Sequence, residues 1–357
     1  MNDLETRLRR AFEAGTAHVQ TPPEPDWTHR TRRAYPILAT MAAIAATVAI
    51  LLTVNHIWGG SSDTDPTFAP GTVAVSPVRP ATTPTFAIRQ EIKSPPTIVD
   101  VATGRVLGNV ETPKGYNALY SESLTAAADN RTFFFSVRKK LNSPRYMVAR
   151  VHVDERGRPD GRAVLVATAP MRLNGLSASP DATKLAMSVT NDQSETLTIW
   201  DLSTGGHKTW DVPPSAAPNG VESVVWTPGG SLLWASGRSA GKLDPESAPG
   251  PLHADRTFPN VGDLTDSELL PNGDRIAVLH EEGNVRFIRI SSRPGASMRV
   301  LDHWVPEGDD EGGLIVSGGR YVLYLRHGQM VRMDLTTHTR TPSPLGGPDN
   351  KMAGYAW

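Results

Sequence analysis

The stretch Leu176-Ser177-Ala178-Ser179-Pro180-Asp181-Ala182-Thr183-Lys184-Leu185-Ala186-Met187-Ser188-Val189, continued by Leu197-Thr198-Ile199-Trp200-Asp201-Leu202-Ser203-Thr204-Gly205, decides the fold. It reads as an apolar strand, a Pro-Asp turn, a second apolar strand, and an alternating strand that ends in Asp-x-x-Thr-Gly; apolar runs are punctuated by turn formers. The same order recurs along the chain. Further copies of the turn stand at Asp129-Asn130-Arg131, Thr227-Pro228-Gly229-Gly230, Pro271-Asn272-Gly273-Asp274 and Ser317-Gly318-Gly319-Arg320. Asp129 to Asp181 is 52 residues, Asp181 to Gly229 is 48, Gly229 to Gly273 is 44 and Gly273 to Gly319 is 46. A period of that size, holding short strands between turns, predicts propeller blades.

The strand-end motif gives the same count from other residues. Asp100-Val101-Ala102-Thr103-Gly104, Asp201 and Asp334-Leu335-Thr336-Thr337 are separated by 101 and 133 residues, which is two and then three of the same intervals. The first copy, from Thr85 to Val110, lacks an innermost strand, whereas Gly354-Tyr355-Ala356-Trp357 aligns with an opening strand such as Ser223-Val224-Val225-Trp226. The reading is therefore an all-β, six-bladed propeller over 85–357, its first blade completed by the C-terminal strand, because closure removes edges that would template aggregation. The segment Gly237 to Pro259 is rich in Gly, Ser and Pro, so the blade at 221–260 is expected to be degenerate after its second strand. Trp200, Trp226, Trp234 and Trp357 are expected in the core between blades.

These turns resemble those of WD40-like propellers of the TolB type, whose blades carry Ser-Pro-Asp-Gly and Asp-x-x-Thr-Gly. The resemblance spans about 270 residues and is strongest at 173–212; it departs where Ala182 replaces the turn glycine.

Ahead of the repeats, Ala34 to Trp58 contains no Asp, Glu, Lys or Arg, and Ile37 to Val54 is entirely Ile, Leu, Val, Ala, Met and Thr. That is long enough to cross a bilayer. Arg30, Arg32 and Arg33 precede the span, Asp63 and Asp65 follow it, and Tyr35 and Trp58 bracket it. The positive-inside rule then predicts a single-pass transmembrane helix at 34–58, a cytoplasmic tail at 1–33 and an extracellular propeller in the cell membrane. Thr31-Arg32-Arg33-Ala34-Tyr35-Pro36-Ile37 looks like a twin-arginine export motif, but Asn55-His56-Ile57-Trp58 offers no small-x-small cleavage site, so an uncleaved anchor is preferred to a cleaved signal. In the tail, Leu4, Leu8 and Phe12 recur on one face of a short helix capped by Asp3, a stripe suited to a cytoplasmic partner or the membrane surface. This tail resembles those of actinobacterial membrane proteins related to anti-sigma factors, although a zinc-type His-x3-Cys-x2-Cys signature is excluded without cysteine. An excess of Arg over Lys, 28 to 8, and frequent Ala, Gly and Pro fit a high-GC genome such as an actinobacterial one. Residues 59–84 hold five prolines among Ser, Thr, Ala and Gly and read as a linker with a reach of about 25–30 Å.

Composition removes several function classes. With 36 Lys plus Arg against 37 Asp plus Glu in 357 residues, no excess of positive charge is available for nucleic-acid phosphates. No cysteine means no disulfide, thiolate metal site or thiol chemistry. Gly237-Arg238-Ser239-Ala240-Gly241 has the G-x-S-x-G form, yet Lys242 to Pro251 is too rich in Pro and Gly for the helix that a nucleophile elbow requires. His280-Glu281-Glu282 has Asn284 where a zincin needs its second histidine. Asp302, Glu307, Asp309, Asp310 and Glu311 form an acidic loop without EF-hand spacing. Asp154-Glu155-Arg156-Gly157 reads as a hairpin turn, and His207, His280 and His327 as strand-edge or loop residues. No catalytic, cofactor-binding or metal-ligating residue is singled out, and no cofactor is expected. The expectation is a binding, sensing or scaffold module for a protein, peptide or glycan; the rivals are a hydrolase- or lactonase-type propeller with a channel site and an anti-sigma-like membrane regulator.

Overall fold

The computed structural model describes residues 84–357 apart from 92–93, 119–122, 141–142, 144, 170–171, 191–193, 218–219, 260–263, 282, 292, 294–297, 307–313, 318 and 346–352. The expected cytoplasmic tail (1–33), membrane span (34–58) and all but the last residue of the expected linker (59–84) thus lie outside the described residues. Every regular element among those described is a β-strand, and none of them is a helix long and apolar enough to cross a membrane.

The chain opens with β1 (Phe86–Glu91), β2 (Thr97–Asp100) and β3 (Val106–Asn109). A second group is β4 (Asn117–Ala118), β5 (Leu124–Ala126), β6 (Thr132–Arg138), β7 (Tyr146–His152) and β8 (Val164–Ala169). The third is β9 (Arg172–Ala178), β10 (Lys184–Thr190), β11 (Glu195–Asp201) and β12 (His207–Val212), and the fourth β13 (Ser223–Trp226), β14 (Leu232–Ser236), β15 (Ser239–Leu243) and β16 (Arg256–Thr257). The fifth is β17 (Leu264–Leu269), β18 (Arg275–Glu281), β19 (Asn284–Ile290) and β20 (Arg299–Trp304), and the sixth β21 (Leu314–Ser317), β22 (Tyr321–Arg326), β23 (Gln329–Asp334) and β24 (Arg340–Pro342). The last strand, β25 (Ala353–Ala356), pairs antiparallel with β1, setting Ile88 opposite Ala356 and Gln90 opposite Gly354.

Six antiparallel sheets result, one per blade. Their innermost strands touch in the order β25, β5, β9, β13, β17, β21 and back to β25, so the ring is closed. In the second blade the innermost position is shared by β4 and β5, both paired with β6.

Period-two alternation explains the core. Phe133 and Phe135 point into the gap toward the first blade, with Phe86, Ile88 and Ile98, while Phe134 points into the opposite gap with Leu185, Met187 and Trp200. Each gap between blades holds one such apolar cluster. Trp226 and Trp234 pack with Leu197 and Trp210 between the third and fourth blades, and Trp357 with Leu323 and Leu325 between the sixth and first. The four tryptophans are thus core residues, each buried side chain of that size giving about 2–3 kcal/mol.

The turns from first to second strand of a blade all place one residue in the left-handed region: Asn130 (φ 54°), Ala182 (60°), Gly230 (79°), Gly273 (87°) and Gly319 (76°). At Ala182 the methyl group is buried in the core cluster, which offsets the strain of an alanine there. The turns from third to fourth strand share a different device. A side-chain oxygen following or ending the third strand accepts backbone N–H groups two to four residues on: Asp100 from Ala102 and Thr103, Asp154 from Arg156 and Arg158, and Asp201 from Ser203 and Thr204. Asp244 does so for Glu246, Ser291 for Arg293, and Asp334 for Thr336 and Thr337. Such Asx turns pin each hairpin to one register. In an antiparallel meander both sets of turns fall on one rim of the ring; the connections from second to third strand, and from blade to blade, fall on the other.

The fourth blade corrects an expectation. It is complete: β15 pairs with β14, and a short β16 pairs with β15. The Gly/Ser/Pro-rich segment between them lies against the outer strand of the third blade, where Asp211 bridges Pro251 in parallel, the Trp210 indole donates to the Ala248 carbonyl and Leu252 N–H to the Asp211 carbonyl. Tertiary pairing overrides the low strand propensity, and the strap covers an edge.

Candidate functional site

Polar ties cross the gaps between blades. Between the first and second, the Asn130 carboxamide accepts from Thr85 N–H (2.6 Å) and Phe86 N–H (2.8 Å) and donates to the Phe86 carbonyl (2.7 Å). The left-handed backbone that asparagine tolerates aims the amide at the strand that begins the ring. Thr85 and Phe86, which open the first described strand, therefore lie at the turn rim. In the third blade Glu195 is buried and accepts from the Ser188 hydroxyl and from the Val221 N–H, both at 2.6 Å, which holds the link to the fourth blade.

Between the fourth and fifth blades, Arg275 is almost wholly buried. Its guanidinium donates to the Ser267 hydroxyl, to the Gly237 carbonyl and to Glu222 (3.1 Å), while the Ser223 hydroxyl donates to Glu268 (3.1 Å). Between the fifth and sixth blades Asp302 accepts from Tyr324 Oη (2.7 Å), Arg340 Nη1 (2.5 Å) and its neighbour His303 N–H, with Arg326 Nε at 3.7 Å. Burial, then the Asp302 carboxylate, pushes the Tyr324 phenol far above its ordinary range. Tyr324 also stacks on Phe287, with ring centroids 4.6 Å apart.

These ties relocate residues singled out in the sequence. Asp302 does not belong with the acidic loop of Glu307, Asp309, Asp310 and Glu311. It is buried in β20 on two arginines and a tyrosine, and the other four lie outside the described residues. Among the described residues no three His, Asp or Glu side chains converge as a metal site. Gly237-Arg238 is a tight turn between antiparallel strands, so Ser239 opens a strand, opposite Ser236, and not the helix of a nucleophile elbow. Gly241 has a packing role: a Cβ there would meet the Trp234 indole at 2.5 Å. Asp154 to Gly157 is the hairpin turn expected, closed by Gly157 N–H to Asp154 O. His280 sits in β18 opposite Val285, His327 in the β22–β23 turn, and His207 stacks on Trp200 at 4.5 Å.

One constellation escaped the sequence reading. Thr132 Oγ lies 2.7 Å from Asp129 and 3.1 Å from His152 Nδ1, and His152 Nε2 is 3.9 Å from Asp160. It has the outline of a nucleophile–histidine–acid line, but the single Thr132 proton goes to Asp129, which leaves the imidazole as donor to Oγ and not its base. The arrangement ties a turn to the neighbouring strand. Its signal was the cross-strand register of Thr132 and His152, which only the fold supplies.

The connection rim carries charge of both signs. On the second blade the β6–β7 connection exposes Lys139, Lys140 and Arg145 and stacks the Arg138 guanidinium 3.6 Å over the Tyr146 ring. Arg172 opens β9 on the same rim and is exposed. The fourth and fifth blades bring Glu222 and Glu281, the latter paired with Arg286 at 2.9 Å.

Fold and rims together define a six-bladed β-propeller braced by interblade hydrogen bonds and ion pairs. No protein-family model matches the chain, and no curated protein matches it. Among solved structures, TolB from Acinetobacter baumannii is similar with a TM-score of 0.49 and 16% identity, over 76% of this chain and 65% of that one. The match thus spans less than two thirds of that TolB chain. TolB described from Agrobacterium tumefaciens is similar at 0.45 and 14%, over 76% and 96%. A 6-phosphogluconolactonase-like protein from Bacteroides uniformis is similar at 0.43 and 11%, over 73% and 95%. These are likenesses of chain path, and the assignment of the fold rests on the closed ring of sheets itself.

Proposed function

We propose that this protein is a membrane-tethered binding or scaffold module, with residues 34–58 spanning the cell membrane, 1–33 in the cytoplasm, and a propeller outside that engages a protein, peptide or glycan at its connection rim. One observation carries the reading: three acids in and between blades, Glu195, Glu268 and Asp302, are committed to bonds that rigidify the ring. Glu195 holds a backbone N–H, Glu268 a serine, and Asp302 two arginines and a tyrosine. Acids so engaged serve a rigid platform, and rigid scaffolds with varied connections are where binding residues concentrate. The first described strand starts at the turn rim, which favours the opposite rim as the one offered to partners. The uncharged span and its basic flank support the anchor.

The absence of native cysteine makes the test direct. Single cysteines at Thr6 and Thr64 are exposed to a membrane-impermeant maleimide on intact cells; the reading expects labelling at position 64 and none at 6. A photo-crosslinking residue at Lys140 on the connection rim, compared with one at Thr336 on the turn rim, should give adducts only from the former. Equal adducts from both, or none, would overturn the binding role, and labelling at position 6 would overturn the topology.

A further inference from the structure

We infer that the outer edge of the fifth blade is an interface for a second copy of this chain, joined by antiparallel pairing of β20 with its counterpart. β20 has one neighbour in its sheet, β19, so its other edge is unpaired. A bulge at Leu301 sets Val300 opposite Ile288 but Asp302 opposite Phe287 and His303 opposite Arg286. Met298, Val300, His303 and Val305 therefore share the face turned toward the fourth blade, while Asp302 and Trp304 are buried on the other. Met298 is 46% exposed, Val300 52% and Val305 63%, and only two other large apolar side chains among the described residues are as open.

The neighbouring blade explains the exposure. Its segment between β15 and β16 is drawn off onto the third blade, and β16 is two residues long, so no full outer strand stands against this face. Most other outer strands are guarded. The strap covers β12, β24 carries Pro342, and Pro159 stands over Gly108 of β3, where a Cβ would meet its ring at 2.7 Å. β8 is as long as β20 but fully exposes only Val164. A long unguarded edge with an apolar face is a template for strand pairing.

Two features select a second copy as the occupant. The stripe is self-complementary: with Val300 opposite His303 of the other copy, Met298 falls opposite Val305, and apolar side chains meet on one face of the joined sheet twice over. The charge runs from end to end of the strand as well. Arg293 and Arg299 stand at its start, neither in an ion pair among the described residues, and beyond Pro306 the sequence continues Glu307-Gly308-Asp309-Asp310-Glu311. Antiparallel pairing brings the basic end of each strand to the end of the other from which the acidic run departs. A single strand edge is at the small end of specific interfaces, so the dimer should dissociate at about 1–100 µM.

The test is sedimentation equilibrium of the full-length chain in detergent micelles, beside V300K/V305K and, as control, Val164→Lys. All three positions are exposed, so both variants should melt at the wild-type temperature. The wild type should dimerise in that range and Val164→Lys equally well, whereas the double lysine variant, with four like charges on the join, should be weakened about tenfold or more. No wild-type dimer at about 100 µM, a dimer that survives in V300K/V305K, or an equal loss in Val164→Lys would overturn the inference. A photo-crosslinking residue at Val305 in intact cells then identifies what covers the edge. An adduct of two copies of the chain is expected; another protein, a link within one chain to residues 59–84, or no adduct would overturn the second copy as occupant.

Discussion

At the residue scale, single side chains and single hydrogen bonds decide whether neighbouring blades hold together. Asn130 bonds two N–H groups and one carbonyl of the entering strand from a left-handed backbone position. Asn130→Ala should lower stability by about 2–4 kcal/mol, from two orphaned buried groups on Phe86, a part-buried one on Thr85, and an alanine at a positive φ that asparagine tolerates better. Denaturant unfolding followed by tryptophan fluorescence measures it. The G-x-S-x-G stretch gives a sharper contrast: Gly241→Ala drives a methyl into the Trp234 indole and should cost about 1–3 kcal/mol, whereas Ser239→Ala should change stability by less than about 0.5 kcal/mol and leave any hydrolytic rate unchanged. Aspartates at the turns set the response to acid. Burial pushes the carboxyls of Asp181, Asp201 and Asp334 upward, but hydrogen bonds from hydroxyl and backbone donors outweigh it and each ends below its ordinary value. A depressed folded value means stability that is present above about pH 4 and lost as pH falls through the folded values. Asp201→Asn combined with Asp334→Asn should therefore flatten the acid limb of a stability-against-pH curve.

At the element scale, the gap between the fifth and sixth blades is locked from β20, β22 and β24 onto one carboxylate. Asp302→Asn removes its charge. Because Arg326 and Arg340 are partly exposed and water can take over, the cost should be about 2–3 kcal/mol, and Tyr324→Phe about 1 kcal/mol. The two should not add, since both act through one carboxylate; a double-mutant cycle by denaturant unfolding reads the coupling. This lock also marks where the sequence ceases to be legible. The hairpins could be read because Asp, Asn and Gly act on backbone within a few residues, as Asp201 does on Ser203 and Thr204. Asp302 could not, because its partners are 22 and 38 residues away and an acidic run follows it. The strap of the fourth blade was misread for the same reason: its pairing with Asp211 and Trp210 is tertiary, and composition reports only local preference. Glu195 needed Val221, which the period places one blade on but does not bring within bonding distance.

At the scale of the whole molecule, the account depends on the ring being closed by β25 pairing with β1. Closure converts sheets with open edges into a ring in which every gap is filled by an apolar cluster, including that of Tyr355 and Trp357 against the sixth blade. It also makes the two rims distinct, which the proposed binding face requires. Gln90 and Gly354 are register partners, and directly opposed antiparallel residues have Cα atoms about 4.5–5.5 Å apart, within reach of a disulfide. In a protein without native cysteine, the most direct measurement is oxidative crosslinking of a Gln90→Cys, Gly354→Cys pair, read by mass and thiol titration, beside an Arg89→Cys, Gly354→Cys pair whose side chains leave opposite faces of the sheet. The closed ring predicts an intramolecular disulfide in the first protein and two free thiols in the second; free thiols or intermolecular dimers in the first would contradict it.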